Sequence, residues 1–288
     1  SYFGHPEWEK YAWGLKTTRD ALKIRERMLY SFEKAERTRF EDKQERFSTF
    51  VIVGAGPTGV EMAGAISELT RKTLRNDFSN FDPNSARIIL VEGSDRVLNR
   101  YHEPMSEQAK KDLEGMGVEV MLNAMVSNIT KEGVTIGDTL IESENIIWAA
   151  GNTASPLIKL TTSEVNRMGQ AIVSPDFSIK EDRSIFCVGD CAYLEDRNGT
   201  LVPSVAQGAI QAGLFVSDQI VRENKNLPRQ KFAYKNKGLM ATIGKSRAVA
   251  QVGTFQFSGF FAWLLWSIVH IMFLVDFRNR LLVFFDWF

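Results

Sequence analysis

Short apolar runs bounded by charge alternate along this chain with longer segments whose apolar residues recur every three to four positions. The first such segment carries Ala21, Leu22, Met28, Leu29, Phe32 and Ala35 at helical spacing. Thr17, with Asp20 three residues on, makes a capping-box pattern just ahead of it. A helix over about 18–37 is predicted, stopping at Thr38, a poor helix former where the rhythm fails. Residues 39–46 read as a charged linker in which Phe40 is the sole apolar residue. Residues 50–53 are apolar throughout and run straight into glycines, as a buried strand does. A helix of small residues then runs to about Asn76, followed by a polar insert with Pro83. Strands are expected at 87–92 and 118–122, with a helix over 102–116 between them. Residues 133–136 and 139–141 form a hairpin turning at Gly137-Asp138, and 146–150 is a further buried strand. Together, 47 to about 153 reads as one doubly wound α/β domain in which a β-ribbon replaces a crossover helix.

The texture changes after Pro156. Residues 171–173 and 184–188 read as short strands, the second running into Gly189-Asp190-Cys191-Ala192. Residues 203–220 form a helix rich in Ala, Gly and Gln, suited to close approach of a flat ligand. Short runs around Gly238, Gly244 and Gly253 suggest a small antiparallel sheet over 232–252. The tail is different again: residues 257–275 are 19 positions without a charge, followed by Arg278, Arg280 and a second apolar run at 281–285. Three readings fit: a buried core helix, a membrane span near the ~20-residue lower limit, or a helix lying in the membrane interface. Trp263, Trp266 and the basic pair favour the third. Gly259, Ala262, Ser267 and His270 project on its smaller, more polar side.

Chemistry concentrates in the first glycine turn. Gly54, Gly56 and Gly59 form G-x-G-x-x-G between a strand and a helix, the context that makes this pattern informative. Gly54 makes the turn, Gly56 lets a pyrophosphate approach the backbone, and Gly59 lets the helix sit close on the sheet. Free N–H groups and the helix dipole face the phosphates, and Pro57 fits the first helical turn. Glu92 lies 33 residues past Gly59, further than the usual ~20, so the intervening helix and insert must be long. An acid at that strand's end can accept both hydroxyls of an adenosine ribose, which favours NAD over NADP; Arg96 keeps a 2′-phosphate partner nearby.

Charge gives no case for nucleic acid, since Lys+Arg and Asp+Glu are both 35. Two cysteines, Cys187 and Cys191, make no disulfide framework, and no His/Cys cluster has metal-ligand spacing. At 288 residues, about two domains are expected.

Several motifs in order resemble the type II NADH dehydrogenases, the non-proton-pumping NADH:quinone oxidoreductases. They are YFGHPEWE, GLKTTRDALKIRERML, VIVGAGPTGVEMAGAISEL, ILVEGSDRVL and IIWAAG, then FCVGDCA, PSVAQGAIQAG, YKNKGLMATIGKSRAVA and GFFAWLLW…FRNRLLV. The resemblance runs from that family's middle to its C-terminus; the family's first G-x-G-x-x-G, which holds the ADP half of FAD, has no counterpart here. It implies a flavoprotein with two dinucleotide-binding domains, the NAD domain inserted in the FAD domain, and a C-terminal amphipathic membrane-binding helix. On that template, 1–46 is the end of the first FAD segment and its crossing helix, and 47–155 the NAD(H) domain. Residues 156–229 become the second FAD segment, and 230–288 a small sheet with the membrane anchor.

The resemblance also implies roles. NADH is held by Gly54, Gly56, Pro57, Thr58, Gly59 and Glu92, with Ala150 and Gly151 opposite. Glu61 orients the nicotinamide or relays a proton, or alternatively only complements the helix N-terminus. Gly189 and Asp190 meet the FAD ribityl chain, and Ala206 and Gln207 the isoalloxazine. Gln207 and Gln211 lie near the quinone. Lys237 stabilises negative charge on the flavin or supplies a proton, unless it is a solvated turn lysine. Glu61, Gln207 and Lys237 are thus the expected catalytic residues. Partners implied are NADH, a membrane quinone, the bilayer along 257–288, and a second copy through the apolar tail, at the cytoplasmic face of a bacterial plasma membrane. Two rivals remain: a non-catalytic NAD-binding membrane-associated fragment, and a disulfide reductase-like flavoprotein, whose cysteine pair would sit elsewhere.

Overall fold

The computed structural model describes residues 2–151 and 153–287. Strand β1 (Ala12–Gly14) precedes helix α1 (Thr18–Arg37), which begins at a complete capping box. The Asp20 N–H donates to Thr17 Oγ1 at 3.2 Å, and the Thr17 N–H donates to Asp20 Oδ2 at 2.8 Å. Residues 39–46 are not a linker: most of them enter helix α2 (Glu41–Ser48). Its polar sequence is held from outside, since Gln44 Nε2 donates to the Ala35 and Thr38 carbonyls and Ser31 Oγ to the Phe47 carbonyl. Tertiary anchoring here overrides a weak local pattern.

Strand β2 (Thr49–Val53) leads into α3 (Pro57–Glu68), then β3 (Arg87–Val91), α4 (Glu103–Gly115) and β4 (Val118–Met121). A ribbon of β5 (Val126–Ile129), β6 (Gly133–Ile136) and β7 (Thr139–Glu142) follows, and β8 (Asn145–Trp148) returns to the sheet. The main sheet is parallel throughout, in the order β1-β8-β2-β3-β4. Past their first residues, Thr49, Arg87 and Asn145, the inner strands β2, β3 and β8 are apolar at every position because both faces are covered. Phe50, Ile52, Ile88, Leu90 and Ile147 pack with α1, α3 and α4. Val51, Val53, Ile89, Val91, Ile146 and Trp148 pack with Trp8 and with Ile129 and Val134 of the ribbon.

Residues 152–237 form a separate compact unit. It holds β9 (Ala171–Ile172) parallel to β10 (Ala192–Tyr193), and α5 (Ala206–Asn224). The strand expected over 184–188 is absent: this segment makes one isolated bridge, Ser178 to Phe186, before the chain turns at Gly189. Its apolar residues instead join a core in which Phe177, Phe215 and Phe232 meet edge to face. Helix α5 starts three residues later than the expected 203 and runs four beyond 220.

The chain then rejoins the first unit, 2–151 with 238–288. Strands β11 (Leu239–Gly244), β12 (Arg247–Val252) and β13 (Phe255–Ser258) make an antiparallel sheet, which begins at 239 rather than at the expected 232 and runs past 252 to 258. Ala241, Ile243 and Val249 face the core containing α3. Ala248 and Ala250 face Ala262 and Trp263 of α6 (Gly259–Phe273), which is followed by α7 (Phe277–Trp287). The uncharged stretch 257–275 is therefore divided between a strand end and a 15-residue helix, and the terminal apolar run is itself helical. Among the described residues, no helix is long and apolar enough to cross a membrane. Ala262, Trp263 and Ser267 are buried, while Phe260, Phe261, Ile268, Met272 and Phe273 face outward. Of the small, more polar side expected for this helix, Ala262 and Ser267 are packed on protein, whereas His270 is exposed.

Candidate functional site

The glycine turn is built by contacts that exclude a side chain. Gly54 sits at φ +100°, and a Cβ there would lie 2.8 Å from the Ala150 nitrogen. At Gly59 a Cβ would come within 1.8 Å of the Gly54 carbonyl oxygen, which presses α3 onto the turn. Gly56, the N-cap of α3, has open space where a Cβ would point. No side chain caps that helix end, and Pro57 and Thr58 are exposed beside it. An uncapped N-terminus above an open glycine fits an anionic phosphate.

Glu92, just past β3, closes the other side. Its Oε2 accepts the Ala55 N–H at 2.7 Å, and its Oε1 accepts the Ser94 N–H at 2.9 Å and the Ser94 hydroxyl at 2.6 Å. The Leu98 N–H donates to the Ala55 carbonyl at 2.8 Å. Both backbone groups of Ala55 are therefore taken by the segment after β3, and the long spacing to Glu92 is absorbed without displacing the acid from the turn. Arg96 donates to the Asn99 carbonyl at 3.3 Å.

Glu61, one turn into α3, is mostly shielded from water. Burial pushes its carboxyl up to about 7, opposed by the Thr242 backbone N–H of β11. Tyr101 is buried near it; burial, then the Glu61 charge, hold its phenol protonated. A residue serving only to complement a helix N-terminus would stay ionised in water; this one is set among apolar surroundings. Thr242 and Tyr101 escaped sequence reasoning because nothing local marks them. Tyr101 comes from the segment between β3 and α4, and Thr242 reaches Glu61 only when β11, nearly two hundred residues on, packs against α3.

The remaining candidates belong to the other unit. Gly189 (φ +67°) turns the chain against α5, where a Cβ would meet Ala209 Cβ at 3.2 Å. Gln170, buried at 6% exposure and also missed by sequence reasoning, fixes this turn. Its Nε2 donates to the Asp190 carbonyl at 3.1 Å and to Ser204 Oγ at 3.1 Å. Asp190 is exposed, as are Ala206 and Lys237. Gln207, in the first turn of α5, has its Oε1 buried with no hydrogen-bond partner among the described residues. A buried amide oxygen is normally satisfied, so this atom fits a donor on a bound group. Gln211 is engaged differently: its side-chain amide exchanges two hydrogen bonds of 3.0 Å with the Lys235 backbone. The structure thus brings Gly54, Gly56, Gly59, Glu61, Glu92, Ala150 and Gly151 into one unit, and Gly189, Asp190, Ala206, Gln207, Gln211 and Lys237 into the second.

The family model for pyridine nucleotide-disulphide oxidoreductases matches residues 17–213. The chain belongs to that family. A second model, the NDH2 C-terminal domain, matches 236–288, the stretch of the antiparallel sheet and the tail helices. Among oxidoreductases of this family, the chain is 43% identical to the type II NADH:quinone oxidoreductase NdhA of Mycobacterium tuberculosis, and 39% identical to Ndh of the same organism. Both alignments take in the whole chain but only 63% and 64% of those relatives' lengths. The solved structure of NDH2 from Plasmodium falciparum in complex with NADH superposes on all of this chain with a TM-score of 0.90 at 20% identity, over 74% of its own length. The resemblance read from the ordered motifs holds, and so does the α/β class with its parallel Rossmann-like sheet.

Proposed function

We propose that this protein acts as a type II NADH:quinone oxidoreductase, taking a hydride from NADH onto FAD and passing two electrons to a membrane quinone without pumping protons. The observation that carries this reading is Glu61: an acid on the nucleotide helix, packed away from water, with its proton poised near neutrality. A plain nucleotide-binding module has no use for such a group, whereas a site where protons accompany electron transfer does.

The FAD supplies hydride acceptance and two-electron donation; the chain binds, orients and handles protons. The α3 N-terminus holds the pyrophosphate of NADH, between Gly54–Gly59 on one side and Ala150 and Gly151 on the other. Glu92 accepts the adenosine ribose hydroxyls. Of the roughly four lone-pair sites on a carboxylate, three are already used here. The Ser94 hydroxyl is the group that rotates away to admit the second ribose hydroxyl. Arg96, turned to Asn99, does not oppose this preference for NADH over NADPH. Glu61, with Tyr101 and the Thr242 N–H beside it, holds or releases a proton on the nicotinamide side. Gly189 and Asp190 receive the ribityl chain, and Ala206 and Gln207 the isoalloxazine edge, where the unpaired Gln207 Oε1 gains a donor. Lys237 would offer a cation beside the bound flavin, and Gln207 with Gln211 would line the approach of the quinone.

The tail places this chemistry at a bilayer. Phe261, Phe273 and Phe285 are exposed at 75%, 58% and 74%, and Arg278 and Arg280 lie in the first turn of α7. An in-plane pair of helices with aromatic and basic edges suits the cytoplasmic surface of a bacterial plasma membrane. The same apolar surface could pair with a second copy.

The test is a visible spectrum. The protein purified in detergent should show a flavin band that NADH bleaches and a quinone restores. NADH binding with no flavin, on this chain and on one carrying the upstream segment, would refute the enzyme reading and leave a nucleotide-binding fragment.

A further inference from the structure

Cys187 and Cys191 are the sole cysteines of the chain, and neither has a place in the chemistry above. Cys187 is buried, with its N–H donating to the Phe177 carbonyl at 2.9 Å. Val188 is extended, Gly189 reverses the chain at φ +67°, and a single 3-10 turn over Gly189–Cys191 returns it. That reversal returns the chain so that Cys191, four residues on, packs in the same cluster as Cys187. Both lie in one apolar cluster, with Cys191 partly open to solvent. Two thiols four residues apart across a tight turn, in one cluster, are placed to approach the ~2.05 Å of a disulfide.

We propose that Cys187 and Cys191 form a peroxide-sensitive dithiol that closes to an intramolecular disulfide around Gly189-Asp190. The order of events follows from exposure. Burial, then the neighbouring Cys191, push the Cys187 thiol up to about 11, so the partly exposed Cys191 is the first attacker. Its thiolate takes the distal oxygen of hydrogen peroxide; the O–O bond breaks, and the departing hydroxide leaves as water after taking a proton. Cys191 becomes a sulfenic acid. The Cys187 sulfur then displaces the sulfenic hydroxyl, which leaves with the Cys187 proton as a second water. Two thiols lose one electron each, and one peroxide becomes two waters. A dithiol reductant reverses the change by exchange.

The closed ring would pull on a turn that is held from its other side. Gln170 grips the Asp190 and Ala192 carbonyls, and Gly189 has Ala209 against it. Strain must therefore appear at Asp190. Its effect on cofactor binding rests on the flavin reading above, whereas the bond itself forms or fails without any flavin.

The whole chain is treated with hydrogen peroxide, unfolded, alkylated with a maleimide and weighed intact. Alkylation should fall from two thiols to none, with the protein lighter by two hydrogens, monomeric on a non-reducing gel, and restored by dithiothreitol. Cys191→Ser should leave Cys187 fully alkylatable at the same dose. Cys187→Ser should convert Cys191 to its sulfinic acid instead. Wild-type protein that carries a sulfinic Cys191 beside a free Cys187, or loses its thiols into a disulfide-linked dimer, overturns the proposal. The wild-type measurement decides even if a variant fails to fold.

Discussion

The proton on Glu61 makes folding depend on pH in a direction opposite to that of most carboxylates. In the unfolded chain this group ionises near 4.5; in the folded protein burial holds the proton to about 7. Between those values the folded state binds more protons than the unfolded one, so stability falls as pH rises. Below 4.5 the group costs nothing; above 7 the folded state carries the full penalty. Integrating the two titrations from pH 5 to pH 8 gives a loss of about 2.5 kcal/mol. Water at the open edge of the side chain trims this to about 2 kcal/mol. Glu61→Gln keeps an acceptor for the Thr242 N–H and removes the titration. The stability of the variant minus that of the wild type, from urea unfolding at each pH, should therefore rise by about 2 kcal/mol between pH 5 and pH 8. Every other titrating group cancels in that difference. A difference that stays within about 0.5 kcal/mol across the range would show that Glu61 is ordinarily solvated, and the poised proton would go with it.

Three further outcomes follow from the geometry. Glu92→Ala removes the ribose acceptor and frees the Ala55 N–H, and should weaken NADH binding at least tenfold by fluorescence titration while leaving the quinone KM unchanged; equal effects on both would remove the ribose assignment. Gly64→Ala puts a Cβ within 1.6 Å of the Ile243 carbonyl oxygen, so α3 and β11 must part. The cost should be about 3 kcal/mol in urea unfolding, against well under 1 kcal/mol for Gly213→Ala, where the space is open. Phe261→Asp, on the outward side of α6, should cut flotation with anionic vesicles several-fold without shifting the thermal midpoint; unchanged flotation would argue against an in-plane tail.

What could be read from sequence was whatever a local rhythm records. The boundaries of α1 and its capping box were legible because Thr17, Asp20 and the apolar spacing all lie within one segment. The inner parallel strands were legible because burial on both faces leaves β2, β3 and β8 apolar at every position past the first. Helix α2 was not, since what holds Gln44 and Ser31 comes from neighbouring elements. The supposed strand at 184–188 failed for the opposite reason: Ile185, Phe186 and Cys187 are apolar for a core of aromatic rings, not for a sheet. In the tail, composition showed an apolar surface but not its division, because the side of α6 with Ala262 and Ser267 is small to fit β12 rather than to face water. At the site, Glu92 was placed by motif, but its tie to Ala55 needed the fold.

Helix α3 shows why residue and neighbourhood cannot be separated in this site. Gly59 and Gly64 remove side chains at two places, and each absence admits a different partner: the Gly54 carbonyl in one case, the Ile243 carbonyl in the other. Glu61 lies between them, three residues before Gly64 and so on a neighbouring part of the helix surface. The close approach that Gly64 permits is what brings Thr242, the residue before Ile243, onto the Glu61 carboxyl, and it is the same approach that shuts water out. The elevated proton affinity of Glu61 is therefore a property of the α3–β11 contact. It follows that Gly64→Ala should do more than destabilise the fold. By opening the contact it should return the Glu61 titration toward 4.5, and flatten the pH dependence of stability that Glu61→Gln abolishes.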